Sequence, residues 1–590
     1  MNLSSRLTYC AILAAVVFAV YANTLLNGFV YDDNIQLVAN PWITDFKYLP
    51  DVLSTHSFGF KDGKDLGTTY RPLAIIVFMT EYSLFGLKPA GWHLVNVLLH
   101  LANTLMVFFT ASVLLKVFSP KEGRLANIAP FAAALVFAVH PVNSETVSWV
   151  ACAPELVYTF LCVTTFNLYI RSRNSSSYAL NIASAALFFI ALFAKETAIV
   201  LPMLVFVFDL LYPDNKRVIG VAALKRYLPY AAFTVLYFLI RLSALGGMAP
   251  RENMYPFLNG FQYLLNGFTL FVNYLRVLLI PVNDYPFQVL DPVFSISEPR
   301  AFISIALTFI FFAFILFARK RINNIYLLSA AIIVLPILPA LYIPGISRAA
   351  FADRYLYLPT FGFGIVLSML LISLGGMTAD RRAGTYVIAA LVVISIAFSA
   401  ATGLRNTRWK DDITLWRASL QGSQENYFAM YQLGAAYLKA GKYDEGIEMA
   451  ARAIAVTGSS KYPDPAVTGD SLLNLAWAYR EKGMLAEAAA QYEELLAIMP
   501  GDPMINYNIA TVYLQSGLLD QAIAHFSKAL EGFSAPEDRR DALLNLGNCY
   551  TKKGDFGTAR LSYEEALRIS PGDPVVTGNL RVLERTSTIR

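Results

Sequence analysis

Charge is scarce in this sequence. Only 15% of its 590 residues are Asp, Glu, Lys or Arg, while 56% are hydrophobic. Soluble globular chains carry roughly 25% charged residues, so the deficit excludes a wholly soluble protein and the apolar excess excludes disorder. Cysteine is nearly absent. Cys10, Cys152, Cys162 and Cys549 form no C-x-x-C pair and no zinc spacing, and they argue for no particular redox compartment. Histidine is equally sparse: there are five, four of them before residue 141, with no H-x-x-x-H pair to suggest a metal site. Walker, G-x-S-x-G, H-E-x-x-H and G-x-G-x-x-G motifs are all missing, which leaves an ATPase, a hydrolase or a nucleotide enzyme without support. A net charge of +5 gives no reason to expect a nucleic-acid partner.

The few charges are unevenly spread. They make up about 11% of residues 1–404 and 23% of residues 405–590, with net charges of +8 and −3. The pattern predicts a membrane domain over 1–404 and a soluble domain over 405–590. Apolar runs long enough to approach a bilayer crossing lie at 9–27, 93–115, 125–139, 147–170, 178–194, 197–212, 228–243, 300–318, 325–343, 357–376 and 384–403. The first lacks an A-x-A-like cleavage site and reads as a retained span. Basic clusters at Lys116/Lys121/Arg124, Arg171/Arg173, Lys216/Arg217/Lys225/Arg226, Arg319/Lys320/Arg321 and Arg381/Arg382 mark cytoplasmic ends. A crossing by 261–281 would turn the Arg319 and Arg381 clusters outward, so that run reads as a re-entrant or interfacial helix. About eleven spans result, with the N-terminus inside and the C-terminal domain outside. The outward loops are then 28–92, 140–146, 244–299 and 344–356.

The soluble part repeats. Leu433-Gly434…Tyr437, Leu475-Ala476…Tyr479, Ile509-Ala510…Tyr513 and Leu546-Gly547…Tyr550 align at spacings of 42, 34 and 37. A period near 34 residues, with a small residue after an aliphatic one and a Tyr three later, is the tetratricopeptide (TPR) pattern. About four helical pairs are expected, with an insert near Gly458–Pro465. The fold class is therefore all-α: a polytopic helix bundle followed by an α-solenoid. Stacked repeats present a concave surface suited to a peptide or protein.

Candidate chemistry sits in the outward loops. Asp32-Asp33 follow the first span; adjacent carboxylates suit a base or a cation site, or simply a solvated turn. Arg71, beside Pro72, either snorkels to headgroups or binds a lipid phosphate. His93, Asn96, His100 and Asn103 share one face of a span, which predicts interhelical hydrogen bonds or a pocket wall. His140 and Glu145 lie in a short outer loop. Lys195-Glu196 interrupt two apolar runs, as a helix-end ion pair or as part of a cavity. Arg348 and Asp353-Arg354-Tyr355 form an outward cluster that the positive-inside tendency does not explain, and anion binding would.

The stretches YDDNIQLVANPWI, YRPLAIIVFMTEYSLFGLKPAGWHLVNVLLHLANTL, FAVHPVNSETVSW, LFAKETAIVLP, DRYLYLPTFGF and RNTRWKDDITLWRASL, followed by the repeats, resemble the transmembrane and TPR-containing glycosyltransferases of the GT-C superfamily, O-mannosyltransferases and their bacterial relatives. The resemblance implies a GT-C-type bundle, a polyprenyl-phosphate-linked sugar as donor, and inverting transfer on the non-cytoplasmic face to a protein or glycan acceptor that the repeats could engage. It implies an acidic base or cation-binding group in the first outer loop, carried here by Asp32 and Asp33 with Asp32 favoured as base, and an acidic role for Glu145. Lys195, Arg354 and Arg71 become the candidates for the donor phosphate, and His93, His140, Glu196, Arg348 and Tyr355 candidate neighbours of the pocket. The sequence points to no definite cofactor; the acidic pair leaves room for a divalent cation, and the lipid-linked sugar is the donor substrate. Where relatives often carry a basic residue after the His-Pro loop, this chain reads Cys152-Ala153-Pro154-Glu155. The implied location is a bacterial inner membrane with periplasmic repeats, or alternatively the endoplasmic reticulum with lumenal repeats. A non-catalytic membrane scaffold that recruits proteins through the repeats is the competing expectation.

Overall fold

The computed structural model describes residues 3–60, 69–119, 124–213, 220–247, 255–282, 285–343, 350–376, 383–460 and 462–589. Regular structure among them is helical, apart from one β-bridge between Gln288 and Phe351. The chain divides into two compact units, Met1–Gly422 and Ser423–Arg590. The step in charge density at 404/405 falls before this boundary. Residues 405–422 stay with the first unit because Trp409, Leu415 and Trp416 are buried there.

Among the described residues, seven helices in the first unit are long and apolar enough to cross a membrane: Leu3–Leu26, Pro89–Phe118, Val150–Ser175, Ala223–Leu245, Pro299–Ala318, Asn324–Leu341 and Gly384–Trp409. Three further expected spans form shorter apolar helices, Ile128–Val139, Tyr178–Ala194 and Pro359–Leu374. At 1.5 Å per residue these fall short of a hydrocarbon core of roughly 30 Å. The run 197–212 is not one helix. It begins as a 3₁₀ turn, Glu196–Val200, and continues as Leu201–Leu211, with Pro202 in its first turn. The extended Lys195 and this turn separate the helix Tyr178–Ala194 from the helix Leu201–Leu211.

The run 261–281 is a helix, Gly260–Leu279, outside the seven. Asn259 and Gln262 cap its start reciprocally: Asn259 Oδ1 accepts the Gln262 amide at 2.9 Å, and Gln262 Oε1 accepts the Asn259 amide at 3.0 Å. Asn266 on its buried face exchanges two hydrogen bonds with the Val293 backbone, at 2.8 and 2.9 Å, and so ties down the following loop. The helix Pro72–Phe85 buries Ile75, Phe78 and Met79 with Trp42, Trp92 and Val150.

The second unit is built of helical pairs: Tyr427–Lys439 with Tyr443–Ser459, Pro465–Glu481 with Leu485–Ile498, Pro503–Gln515 with Leu519–Gly532, and Pro536–Lys553 with Phe556–Ile569, closed by Pro574–Ile589. The small register residues let paired helices touch. A Cβ on Gly434 would sit 3.3 Å from the Ala450 amide, and one on Gly547 would sit 2.4 Å from the buried Tyr563 ring. Gly547→Ala is therefore expected to destabilise this unit by about 1–3 kcal/mol. Thermal unfolding of the full chain followed by near-ultraviolet signal checks it; an unchanged midpoint would mean that the ring gives way freely.

Candidate functional site

The acidic loop after the first helix is held in an unusual backbone. Tyr31 has φ +51°, a left-handed conformation that a bulky residue adopts only when its surroundings impose it. The next two carboxylates consequently part company. Asp33 turns inward and is fully buried; its Oδ2 accepts the Val30 amide at 2.9 Å and its Oδ1 the Ala151 amide at 2.8 Å. It joins the loop to the Trp149–Cys152 segment. Burial nonetheless pushes its carboxyl well above the ordinary range. Asp32 instead lines a cavity of about 230 Å³, with Gln36 Nε2 3.4 Å from its Oδ2.

Four more of the expected residues meet Asp32 around this cavity: Arg71, Lys195, Arg354 and Tyr355, joined by Trp149 and Glu155. Local structure explains how each arrives. Arg71 precedes Pro72, which excludes helical geometry from it and starts a helix immediately after. Lys195 is the extended residue between the helix Tyr178–Ala194 and the 3₁₀ turn Glu196–Val200. Arg354 and Tyr355 share the 3₁₀ turn Asp353–Leu356.

Each cation has its own carboxylate. Arg71 forks onto Glu196 through Nε and Nη2 at 2.8 and 2.7 Å. Lys195 Nζ donates to Glu155 Oε1 at 2.5 Å, and Arg354 Nη1 to Glu145 Oε1 at 2.6 Å. The rings reinforce them: Lys195 lies 4.8 Å over Tyr355, and Arg354 lies 5.4 Å over Trp149 and 5.2 Å over Tyr355. Burial pushes the Glu196 carboxyl up, but the Arg71 charge and hydrogen bonds outweigh it and hold Glu196 well below the carboxylate range. Burial likewise opposes the charge on Arg354, and Glu145 more than restores it. Three cations, each held by its own carboxylate, thus converge on one small cavity with their remaining N–H groups available as hydrogen-bond donors.

The remaining expected residues lie elsewhere. Glu145 sits behind Arg354 and also accepts the Asp353 amide at 2.9 Å, so it anchors the 353–356 turn and does not line the cavity. His93 Nε2 lies 3.4 Å from the Gly28 carbonyl. His140 packs between the rings of Phe363 and Phe398 with Nε2 3.0 Å from the Leu278 carbonyl, and burial lowers its imidazole to about 3. Neither histidine reaches the cavity. Arg348 lies outside the described residues. The polar stripe of Pro89–Phe118 makes interhelical hydrogen bonds: Asn96 donates to the Val147 and Trp149 carbonyls, Asn103 to Leu156, and His100 pairs with the Tyr357 hydroxyl at 2.7 Å. Arg71 does not snorkel; its guanidinium is spent on Glu196. Among the described residues no three His, Cys, Asp or Glu side chains converge as a metal site.

Glu155 was not foreseen as a cavity residue. Its signal was its position, an acid at the start of an apolar helix. Glu81 also escaped notice. It is 2% exposed on the helix Pro72–Phe85, and neither carboxyl oxygen has a hydrogen-bond partner among the described residues. Burial, then the nearby Asp33, push its carboxyl well above the ordinary range. A group raised in this way stabilises the fold only below its unfolded pKa, and that stability is lost as pH climbs toward the folded value. Glu81→Gln should therefore raise the thermal midpoint, and more at pH 8 than at pH 5. An equal midpoint for the two proteins across that range would mean that Glu81 is ionised and compensated.

Comparison with known proteins bears on what this cavity serves. A family model described as tetratricopeptide repeat matches residues 427–500 and 503–571. A protein O-mannosyl-transferase of Caenorhabditis elegans is 24% identical over 436 residues, covering 72% of this chain and 59% of that protein. Protein O-mannosyl-transferase TMTC3 of Mus musculus is 24% identical over 628 residues, 97% of this chain and 65% of that protein. Protein O-mannosyl-transferase Tmtc1 of Drosophila melanogaster reaches 32% over 206 residues, but over only 35% of this chain and 23% of its own length. The chain spans less than two thirds of the length of each of these curated relatives. Among solved structures, YrrB, a TPR protein with an unusual peptide-binding site, aligns with 31% of this chain and 87% of its own at 18% identity and a TM-score of 0.25. This chain thus has a near chain-long similarity to a protein named as an O-mannosyl-transferase and carries tetratricopeptide repeats of its own over residues 427–500 and 503–571.

Proposed function

We propose that the chain is a membrane glycosyltransferase that moves a sugar from a polyprenyl-phosphate donor to an acceptor hydroxyl, of a protein or a glycan, on the non-cytoplasmic face. The carrying observation is one cavity that sets the Asp32 carboxylate opposite Lys195, Arg354 and Arg71. The relatives' names make mannose the first sugar to try. At about 230 Å³ the space is below the roughly 300–1,000 Å³ of drug-sized pockets, which favours a single sugar ring over an oligosaccharide.

Asp32 takes the proton of the acceptor hydroxyl as its oxygen attacks the anomeric carbon. The bond from that carbon to the phosphate oxygen breaks, and the lipid phosphate leaves with the electron pair. Attack from the side opposite the phosphate inverts the anomeric centre. Lys195, Arg354 and Arg71 stabilise the charge gathering on the leaving phosphate, a task that grows toward the transition state. The paired carboxylates hold the cations in place before the donor arrives. A divalent cation bridging the acidic pair is not part of the proposal, since both Asp33 oxygens accept backbone amides. The basic clusters of the sequence support an orientation with the acidic loop and the repeats on the non-cytoplasmic side: the periplasm for a bacterial inner membrane, or the lumen for the endoplasmic reticulum. The repeats offer the acceptor a docking surface.

Purified full-length protein incubated with polyprenyl-phosphate mannose and a membrane extract tests the proposal. Asp32→Asn should lose about 10²–10⁴-fold in transfer, the usual worth of a general base, with an unchanged thermal midpoint. Asp33→Ala should lower that midpoint, because two buried amides lose their acceptor. Equal transfer by wild type and Asp32→Asn would remove Asp32 as base. No turnover of any polyprenyl-phosphate sugar by folded wild-type protein would leave the scaffold reading in its place.

A further inference from the structure

The helix Asp412–Gly422 lies between the last apolar helix and the first repeat helix. It packs back onto the loop that carries Asp32. Asp412 Oδ1 accepts the Tyr31 amide at 2.7 Å, and its Oδ2 accepts from Asn34 Nδ2 at 3.3 Å. Just upstream, the Lys410 carbonyl accepts the Gly28 amide at 2.8 Å. Trp416, buried on the same helix, sets its ring 5.2 Å from that of Tyr31, while Phe287 and Trp149 approach Tyr31 at 4.7 and 5.8 Å.

These contacts bear on Asp32 through the backbone. A left-handed Tyr costs about 1–3 kcal/mol and relaxes unless its neighbours over-determine it. The Tyr31 amide and ring are the handles, and Asp412 and Trp416 hold one each. Asp32 follows directly; its carbonyl accepts the Ile35 and Gln36 amides at 3.0 and 2.7 Å, so the backbone direction at Tyr31 sets where the Asp32 side chain leaves the chain. Asp412 itself does not line the cavity.

We propose that Asp412 is a positioning residue, and that the helix joining the membrane bundle to the repeats is a latch that holds Tyr31 left-handed and so aims Asp32 into the cavity. The proposal rests on the reading of Asp32 as the base. It separates two roles that a single loop could have combined: Lys195 and Arg354 stand on other segments, so donor binding should not depend on the latch, whereas proton transfer should.

Two readouts on full-length protein in lipid nanodiscs test it. The first is hydrogen–deuterium exchange of the amides in residues 28–38. The second is kcat and KM for polyprenyl-phosphate mannose. Asp412→Ala should speed exchange in that segment by about tenfold and lower kcat by about tenfold, the worth of a charged hydrogen bond, with KM within a factor of about three. Asp412→Asn keeps an oxygen to accept the Tyr31 amide and should recover most of both. Unchanged exchange in Asp412→Ala would overturn the latch, and faster exchange with unchanged kcat would overturn positioning. Exchange needs no turnover: if wild type transferred nothing, the functional reading would fail by itself, and the exchange of the two variants would still decide whether Asp412 holds the loop.

Discussion

A cation withdrawn from water loses several kcal/mol of hydration unless an opposite charge and hydrogen bonds replace it. Arg71, Lys195 and Arg354 face one small cavity, and the rest of the first unit is arranged so that each keeps a carboxylate: Glu196, Glu155 and Glu145. The six residues come from five places in the chain. The pairs are therefore also bolts. Glu145 fastens the 143–148 helix to the 353–356 turn, Glu155 fastens the start of a long helix to the turn at Lys195, and Arg71 fastens the helix Pro72–Phe85 to the residue after that. Because each cation is neutralised by its own carboxylate before any ligand arrives, the three do not repel one another across the cavity. Under the proposed function, the donor phosphate would meet hydrogen-bond donors already aimed.

The same economy governs the uncharged polar groups of the bundle. Asn406 accepts from Ser144 and Ser148 and donates to the Val20 carbonyl and Asn23, linking three segments at one buried side chain. Asp209 gathers the hydroxyls of Tyr169 and Tyr227 and the guanidinium groups of Arg173 and Arg226. With no water to satisfy it, a polar atom among apolar helices has to find a protein partner. Glu81 has none among the described residues, which marks it as a different kind of group from the six paired at the cavity.

Much of this was legible in the sequence, for identifiable reasons. Periodic small residues such as Gly434, Ala476, Ala510 and Gly547 betray helix pairs because nothing larger fits between them. Asp32, Arg71, Lys195, Arg354 and Tyr355 stood out as charged or polar groups beside apolar runs, and the structure sets them around one cavity. Which of two adjacent aspartates faces it was not legible, because that depends on a left-handed Tyr31 imposed from residues far along the chain. Glu145 looked like an equal of Asp32 and is an anchor. His93 and His140 looked like pocket walls and instead turn Nε2 toward the Gly28 and Leu278 carbonyls, away from the cavity. Asp412 carries no local pattern, and the place of Glu155 at the start of an apolar helix does not say which cation it meets; long-range folding decides both. The spans were over-regularised, since an apolar run such as 197–212 does not reveal that its first turn is 3₁₀.

A structure of the full chain with a polyprenyl-phosphate sugar bound bears most directly on what the three cations are for. The phosphate should lie within hydrogen-bonding distance of Lys195 and Arg354, with the anomeric carbon on the side of Asp32. A donor bound with its phosphate away from all three cations, or a cavity left empty at saturating donor, would contradict it.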